Sequence, residues 1–514
     1  MIDALLLYPR LGSMDSIIME LPLSIIYAAA ESAKRGDDLK LLDLRREKGD
    51  WRQAIHPILQ QGVRLVGISV MTGMPLASAR EISRYVKEHF PHVPVVWGGP
   101  HPTVLPETIR EEFIDFLVRG DGSLPLADLI AALRSGQPDF AAIPGLSFKD
   151  GQGEAVHNPR ATGFERIHYT DIPYHLLDVG SDDYQRLYKG ERQKLFPIFT
   201  SVGCPYKCTF CVSPAIYKVI NGKKWLPDPE DEVIEHIEFL IANYQVTHLS
   251  IIDDTSFVDL PRMGRIFRKI IARGLHLTLE FRGARINEID RMDDDFLELM
   301  VAAGGRVIMV GVESASDRIL KTMQKGITRE QILRVNRKLA RHPKLIPHYN
   351  FLYGSPGEQY EDLVETKDVV LQLLADNGNA YFGIGSDWKP IPGSVMLEVA
   401  EREFGYVGPK TLDDWIEIDT FDSTRKIRHP WYSDRFDNLV KLMQLSAFVI
   451  DDKLIKESRG NTTWFFRLVR LAARIYKPVA YFRMRHNLHH FMIEYSLYRI
   501  LARLISLHRR ETRT

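Results

Sequence analysis

Three cysteines lie within one short segment of the chain. The segment "SVGCPYKCTFC", residues 201–211, contains Cys204, Cys208 and Cys211, and the 514-residue sequence has no other cysteine. Their C-x3-C-x2-C spacing allows all three thiolates to face a common centre. A disulfide framework needs pairs of cysteines spread along the chain, so the pattern excludes one and favours a metal centre in a reducing compartment.

Zinc and iron–sulfur clusters are the two metal centres to compare. Structural zinc takes four ligands, commonly from two C-x2-C pairs, and no second pair exists here. A histidine could complete the set, but none lies within residues 176–235. Three thiolates can instead hold three irons of a [4Fe–4S] cluster and leave the fourth iron open to an external ligand. The sequence favours this cluster over zinc and over three incidental buried cysteines.

Residues 1–150 alternate short apolar runs with helical patterns. The runs "IDALLLYP", "LKLLDL", "RLVGISVMTG", "VPVVWGGPH" and "FIDFLVRGDG" predict five strands. Such alternation predicts a doubly wound, parallel α/β sheet, which binds ligands beyond the carboxyl ends of its strands. Those ends are small and polar, at residues 69–73, 98–101 and 119–122. Their glycines either admit a large ligand close to the backbone or simply form turns.

A second series of strands begins near residue 195, after an irregular linker over residues 151–194. Six strand-like runs over the next 190 residues or so, separated by helical patterns, predict a partial (β/α)6 barrel. Polar residues again follow the strands. The cysteine segment follows the first, where the catalytic groups of such barrels lie.

The last part of the chain, residues 405–514, is predicted to be helical and basic. Residues 461–514 contain eleven Lys and Arg against two Glu, interleaved with aromatic and aliphatic residues. Such helices can pack over a domain or cap a substrate, lie on an anionic membrane surface, or contact RNA. The sequence leaves these three roles open.

Composition excludes several other classes of protein. Hydrophobic residues make up 45% of the chain, charged residues 26%, and the formal net charge is zero, so no overall preference for nucleic acid is expected. No stretch has eighteen uncharged apolar residues, and the short apolar start of the chain resembles a strand more than a signal peptide. We therefore expect a cytoplasmic protein, with membrane association through the basic tail left open.

The cysteine segment resembles the signature of radical S-adenosylmethionine (SAM) enzymes, including the aromatic Phe210. "IIDDTSF", the run ending in "GVES", and "NFLYGSPGEQYED" resemble further segments of that family, over residues 195–400. "GGPHPTVLPE" and "DFLVRGDGSLPLADL" resemble the cobalamin (vitamin B12)-binding domain that precedes the barrel in one large subclass. The resemblance implies a cobalamin domain at 1–150, a linker at 151–194, a radical SAM barrel at 195–404 and a helical domain at 405–514.

The resemblance also implies three cofactors and their contacts. Cys204, Cys208 and Cys211 would hold a [4Fe–4S] cluster whose free iron binds SAM. The residues implied to contact SAM are Phe210, Asp253, Asp254, Arg285, Glu313, Ser314, Gly354 and Gly357. Those implied to contact cobalamin are Ser69, Thr72, Gly98, Gly99, His101 and Gly120. The D-x-H-x-x-G motif that supplies a histidine to cobalt in many B12 proteins is absent, and His101 could ligate cobalt, pack beside the corrin or cap a turn.

The reaction implied is reductive cleavage of SAM to a 5′-deoxyadenosyl radical, followed by methylation of an unactivated carbon or phosphorus through methylcobalamin. One alternative is an oxidative cyclase or ring-rearranging enzyme with the same cofactors, since the chain also resembles anaerobic Mg-protoporphyrin ester cyclases. The other is a non-catalytic B12 sensor with a structural cluster. The expected partners are a small-molecule or amphiphilic substrate and an external electron donor of the flavodoxin or ferredoxin type; no nucleic acid is expected.

Overall fold

The framework of the protein is a pair of β-sheets. The computed structural model describes residues 1–514 except 13–14, 16–17, 19, 48, 181–183, 189–190, 384, 419–427, 453–454, 457–463 and 497–514. The first sheet contains β1 Ala4–Tyr8, β2 Leu39–Asp43, β3 Val66–Ser69, β4 Val95–Gly98, β5 Phe116–Val118, β6 Leu146–Lys149 and β7 Ala155–His157. Their order is β2-β1-β3-β4-β5-β6-β7, and β1 to β5 are parallel. The predicted doubly wound sheet is confirmed.

Helices cover both faces of this sheet, which is why its strands are almost entirely apolar. They are α1 Leu23–Ala28, α2 Ala30–Lys34, α3 Trp51–Gln60, α4 Met74–His89, α5 Pro100–Val104 and α6 Ser123–Ser135. In α4 the buried positions Leu76, Ala79, Ile82 and Val86 recur every three or four residues, so one stripe of the helix faces the sheet.

The hairpin of β6 and β7 was not among the predicted strands. It is antiparallel and is closed by a turn in which the Asp150 carboxylate accepts hydrogen bonds from the backbone N–H groups of Gln152 (2.8 Å) and Glu154 (2.9 Å). The segment "KDGQGE" carries the residues typical of such a turn, but its flanking strands are only four and three residues long. Their apolar pattern was too short to identify.

The second sheet is an open barrel. Its strands are β8 Gln185–Tyr188, β9 Glu191–Ile198, β12 His248–Ile251, β13 Thr278–Arg285, β14 Gly305–Glu313, β15 Ile346–Tyr353 and β16 Tyr381–Phe382, with β17 Ser386–Asp387 also paired to β15. The order is β16-β15-β14-β13-β12-β9-β8. The six strands from β9 to β16 in this order are mutually parallel, which confirms the partial (β/α)6 barrel. A separate ribbon pairs β10 Ser201–Gly203 with β11 Trp225–Pro227 beside the cysteine segment.

Helices connect the barrel strands. They are α7 Ser213–Ile216, α8 Glu230–Tyr244, α9 Leu260–Ala272, α10 Ile286–Asp290, α11 Asp294–Ala302, α12 Asp317–Thr322, α13 Arg329–Ala340 and α14 Tyr360–Asp376. Their N-termini carry local stop and start signals: Asp259 accepts from the backbone N–H of Arg262, and Thr328 and Gln331 form a reciprocal capping box. These caps determine where α9 and α13 begin.

The C-terminal part is helical in the described residues. It contains α15 Val395–Glu403, α16 Leu412–Glu417, α17 Asp434–Ser446 and α18 Trp464–Arg485. Helix α18 packs on α14 and α17. Residues 497–514 of the predicted basic domain lie outside the described residues. None of the helices among the described residues combines the length and apolarity needed to cross a bilayer.

Polar contacts join the first sheet to the linker and the barrel. The buried Arg45 forms a bidentate pair with Asp43 at the end of β2 and donates to the carbonyl of Glu20, while Tyr184 of the linker donates to the same carboxylate. Arg160 donates to the carbonyl of Ile216 after the cysteine segment (2.7 Å). The first sheet ends at His157 and the second begins at Gln185; the boundaries near 150 and 194 stay predictions.

Candidate active site

The three cysteines lie on a loop that the backbone holds in place. Cys208 is buried, and Cys204 and Cys211 are half-buried. The N–H of Cys211 donates to the carbonyl of Cys208 (3.2 Å), and the N–H of Thr209 donates to the carbonyl of Met323 just after α12 (3.0 Å). These backbone hydrogen bonds help to hold the loop in its shape.

In the described part of the chain, no group of three or more His, Cys, Asp or Glu side chains could hold a single metal ion. A [4Fe–4S] cluster differs from such a site, because each of its thiolates binds a different iron atom.

Burial disfavours ionisation of two of the thiols, those of Cys204 and Cys211. It raises the pKa of Cys204 to about 12 and also raises the pKa of Cys211. Iron ligands are thiolates, so iron binding must release these protons and supply the positive charge that stabilises the ionised sulfurs. The thiolate form is therefore expected when iron is bound and not in the metal-free loop.

Arg285, at the end of β13, is turned toward the cysteine loop. Its Nη1 donates to the sulfur of Cys208 (3.1 Å), and its Nη2 donates to the carbonyl of Lys325. The guanidinium carbon lies 3.8 Å from the centroid of the Tyr206 ring. The side chain is buried. Sequence reasoning assigned Arg285 to SAM, whereas here its N–H groups contact a cysteine and the backbone.

Glu313 and Lys325 form a buried ion pair next to the same loop. Glu313 ends β14 with a positive φ of 67°, and its carboxylate accepts from Nζ of Lys325 (2.8 Å). A Cβ at Gly311 would lie only 2.9 Å from that Nζ, so glycine leaves the room for the pair. Nζ also lies 5.5 Å from the ring of Phe210. Phe210, Glu313 and Arg285 are thus brought together around Lys325.

Ser314 points away from this cluster. It is fully buried, its hydroxyl lies 3.3 Å from that of Thr366 on α14, and it accepts from the N–H of Ser316 (3.2 Å). Glu313 contacts Lys325 whereas Ser314 contacts Thr366, so the two side chains lie on different sides of the strand end. Ser314 fastens the strand end to a helix.

Asp253 and Asp254, which follow β12, also divide their roles. The buried Asp253 carboxylate accepts from the N–H groups of Thr200 (2.6 Å) and Ser201 (3.1 Å), and burial raises its pKa to about 6. It fixes the start of β10. Asp254 stays exposed, with its carboxylate 3.4 Å from the hydroxyl of Ser213. Of these two residues, only Asp254 lines the cavity that lies between the two sheets.

Gly354 and Gly357 lie in the turn after β15. The N–H of Gly354 donates to the buried Glu358 carboxylate (2.6 Å), and burial raises the pKa of Glu358 to about 8. The ring of Tyr432 occupies the place where a Cβ of Gly354 would project, and Phe404 does the same at Gly357. These glycines therefore accommodate aromatic side chains of the C-terminal part.

A cavity of about 370 Å³ lies between the carboxyl edges of the two sheets. From the first sheet it is lined by Ser69, Gly98, Gly99, Gly120, Asp121 and Gly122, and from the barrel by Phe199, Ser201, Gly203, Tyr217 and Asp254. It extends inward beneath α1 and α6, where its walls are the apolar residues Leu6, Gly67, Val96, Val118 and Leu126. The mouth is built of small residues and the depth is apolar.

Thr72 and His101 lie outside this cavity. His101 is buried with its Nδ1 3.0 Å from the hydroxyl of Thr72, and its ring packs edge-on against Trp415. Burial lowers the pKa of His101 to about 4, so the ring is neutral. Four of the six residues that the sequence assigned to cobalamin thus border the cavity, and these two do not.

Two family models match the chain. The model of the B12 binding domain matches residues 11–130, and that of the Radical SAM superfamily matches residues 198–370. The chain belongs to the radical SAM proteins with a cobalamin-binding domain. Proteins of the radical SAM superfamily act on small molecules and take electrons from an external reductant, and their domain implies SAM and a [4Fe–4S] cluster, as the first domain implies cobalamin.

Individual relatives share this domain order. The radical SAM protein described here is 29% identical over 459 residues to an uncharacterized methyltransferase of Pyrococcus horikoshii, spanning 88% of this chain and 94% of that protein. The radical SAM methyltransferase TsrM from Kitasatospora setae superposes with a TM-score of 0.61 and 24% identity, over 78% of this chain and 76% of TsrM. The cobalamin-dependent enzyme OxsB superposes with a TM-score of 0.70 and 18% identity, over 99% and 75%. The superpositions show a shared fold.

The residues of this radical SAM protein fit the implied cofactors. The cysteine loop offers three thiol donors without a fourth, as a cluster with an open iron requires. The cavity is wide and side-chain-free at its glycine mouth, which suits a large flat ring, and apolar in its depth. Among its described lining residues there is no histidine.

Two residues of the site were not assigned from the sequence. Lys325 could have been found, because the lysine–glycine pair at 325–326 belongs to the segment that resembles the family. Tyr217, which lines the cavity and hydrogen-bonds to Asp254, carried no distinguishing pattern. Its place depends on the path of the chain after the cysteines.

Filling the mouth of the cavity should abolish cobalamin binding. A Cβ at Gly98 would meet nothing closer than 3.8 Å, so the backbone tolerates a side chain, but the outer atoms of Gly98→Leu would enter the cavity. We expect bound cobalamin, measured by absorbance per chain, to fall at least about tenfold, since a filled cavity cannot admit a ring. Iron content should be unchanged. Gly151→Leu, at an open turn, is the matched control; full cobalamin in Gly98→Leu would contradict the assignment.

Removing the Arg285 guanidinium should lower the reduction potential of the cluster. Hydrogen bonds to cluster sulfurs stabilise the more negative, reduced state, and Arg285→Gln shortens the side chain and removes its charge. An EPR-monitored redox titration should show a more negative midpoint than in the wild type. Arg282→Gln, on the same strand but without a contact to a cysteine, should titrate like the wild type. Equal midpoints for all three proteins would exclude this role of Arg285.

Proposed function

We propose that this protein transfers a methyl group to an unactivated carbon or phosphorus atom of a small molecule. The observation that carries the proposal is a cavity bordered by both domains, since Gly98 and Gly120 of the first and Asp254 and Gly203 of the second line the same space. The methyltransferase relatives from Pyrococcus and Kitasatospora support the same class of reaction.

The side chains around the cavity position and shield the reactants. When bound, the cluster and SAM supply radical chemistry and cobalamin carries the methyl group. The apolar walls exclude water from that chemistry, which protects reactive species from side reactions. Asp254 is the exposed carboxylate at the barrel side of the cavity. It is the group we assign to orienting a polar or cationic part of a ligand.

A second pocket, of about 470 Å³, adjoins the cavity at Asp254 and supports a place for the substrate. Its other acidic and basic residues are Asp253, Arg282 of β13 and Glu20 of the loop after β1. Arg282 and Glu20 form an ion pair across the two domains. Gly283 and Ile18 complete two of its walls. We assign substrate entry to this pocket because charged side chains line it and it adjoins the cofactor cavity.

The finer features of the substrate and donor are also proposals. An anionic or amphiphilic substrate would suit the end of the second pocket that contains the half-buried Arg282. The electron donor proposed is a flavodoxin or ferredoxin. The membrane contact predicted for the C-terminal helices is a separate proposal, because it does not depend on the reaction.

The nature of the products tests this function. The anaerobically reconstituted protein, with cluster, cobalamin, reductant and methyl-labelled SAM, is incubated with a small-molecule cell extract. Methyl transfer predicts S-adenosylhomocysteine and 5′-deoxyadenosine in equal amounts and label in one extractable product. A variant with Cys204, Cys208 and Cys211 changed to Ala should form neither.

Two outcomes would contradict the proposal. Deoxyadenosine without S-adenosylhomocysteine would indicate cyclisation or rearrangement in place of methylation. The absence of both products from cofactor-loaded protein would favour a B12 sensor. Gly98→Leu separates the contributions, because it should lose label transfer while its cluster remains intact.

A further inference from the structure

Helix α18 presents a continuous stripe of large apolar side chains to solvent. The stripe consists of Trp464, Leu468, Leu471, Ile475, Val479 and Phe482, whose side chains are between 46% and 72% exposed. Their spacings of three and four residues put them on one side of the helix, over about 27 Å at 1.5 Å per residue. Exposed apolar surfaces of this extent mark interaction sites.

Helix α18 turns small residues inward and bulky apolar residues outward, which is the reverse of an ordinary surface helix. Its buried side carries the small residues Ala473 and Ala480 together with Met484, and it packs on α14 and α17. Lys367 of α14 fixes it by donating to the carbonyl of Met484 (2.9 Å). Most surface helices turn their bulky apolar residues inward and their charges outward. Here the protein uses alanines for its own packing and leaves the bulky residues outside.

The apolar surface continues past the end of the helix. Arg483 donates to the carbonyls of Leu488 (2.8 Å) and Phe491 (2.6 Å), which folds the following loop against the helix end. Phe491 is 79% exposed. The loop also reaches the barrel, because His489 Nε2 lies 2.9 Å from the hydroxyl of Tyr360 at the start of α14. The surface therefore extends to the rim that carries the turn at residues 354–358.

Positive charge accompanies the stripe. Residues 464–485 contain five Arg and one Lys and no acidic residue. The exposed Arg467, Arg474 and Arg485 each follow a stripe residue by three positions, which places them about 60° to one side of it. A row of arginines beside a row of Trp, Leu, Ile and Phe is the arrangement of helices that lie in the interface of anionic membranes.

We propose that α18 and the loop at 488–493 bind the surface of an anionic lipid bilayer. The stripe enters the boundary between headgroups and acyl chains, and the arginine row contacts the lipid phosphates. Each arginine near an anionic surface adds electrostatic attraction, and buried aliphatic side chains add hydrophobic attraction. The inference is independent of the proposed reaction, since it depends on contacts of α18 alone.

A second copy of the chain fits this surface less well. Pairing two stripes would bring the rows of Arg467, Arg474 and Arg485 together, with no acidic residue on either helix to neutralise them. Such like-charge contacts disfavour association. An anionic surface complements both the apolar stripe and its charged flank.

Vesicle flotation with the full-length, cofactor-loaded protein tests the inference. The wild type should float with vesicles of phosphatidylcholine and phosphatidylglycerol, and weakly or not at all with phosphatidylcholine alone. The triple variant Leu468→Gln, Leu471→Gln and Ile475→Gln should bind the mixed vesicles at least about tenfold more weakly. The variant Arg467→Gln, Arg474→Gln and Arg485→Gln should lose the preference for phosphatidylglycerol, and high salt should have the same effect on the wild type.

A matched control replaces three exposed apolar side chains that lie outside α18. Ile271, Val395 and Val407 are exposed apolar residues outside α18, and their triple change to Gln should leave vesicle binding intact. Circular dichroism checks that each variant is folded. Equal vesicle binding by the stripe variant and the wild type would overturn the inference, as would a wild type that ignores mixed vesicles. A dimer that the stripe variant dissociates, without vesicle binding, would assign the surface to a second copy.

Discussion

The carboxyl edges of two parallel sheets face each other across one cavity, and the rest of the structure depends on keeping them so. Each edge alone is an open surface of turns. Together they enclose a space with glycines on one side and the region of the cysteine loop on the other. Fixing this geometry requires contacts that tie the first sheet to the rest of the chain. Tyr184 of the linker donates to the Asp43 carboxylate, which also forms a bidentate pair with the buried Arg45, and Arg282 of the barrel pairs with Glu20 of the first domain. Because a buried pair is costly to break, the Arg45–Asp43 pair stabilises the placement of the linker and of the loop at Glu20 on the first sheet.

Burial of the cysteine loop determines which charges can exist around it. Burial raises the pKa of the Cys204 and Cys211 thiols, so these two need a cationic centre to become ligands. Arg285 contributes a fixed positive charge on Cys208, and Lys325 balances Glu313. The charged side chains around the cysteine loop are therefore paired, and a bound cluster would supply the positive charge that the cysteine thiolates need. Asp254 alone among the predicted SAM residues stays exposed toward the shared cavity.

The sequence predicted the two sheets, because buried parallel strands leave long apolar runs separated by helical periods. It also predicted the cysteine loop and four residues at the cavity mouth. It could not predict the side to which a residue at a strand end turns. Glu313 and Ser314 are neighbours, yet one faces Lys325 and the other Thr366, since the backbone at Glu313 has a positive φ. Likewise His101 follows the glycines of the mouth but is drawn to Trp415, a partner more than three hundred residues away. Contacts of that kind depend on tertiary packing and leave no local pattern.

The central claim is that the cavity whose mouth contains Gly98 and Gly120 adjoins the cysteine loop, which begins directly after the lining residue Gly203. EPR spectra of the reduced cluster, recorded in protein loaded with and without cob(II)alamin, test it most directly. A shared cavity predicts that the cobalt spin broadens the cluster signal or speeds its relaxation, and that Gly98→Leu protein, which should not retain cobalamin, lacks the effect. Identical cluster spectra and relaxation with and without bound cobalamin would contradict the claim.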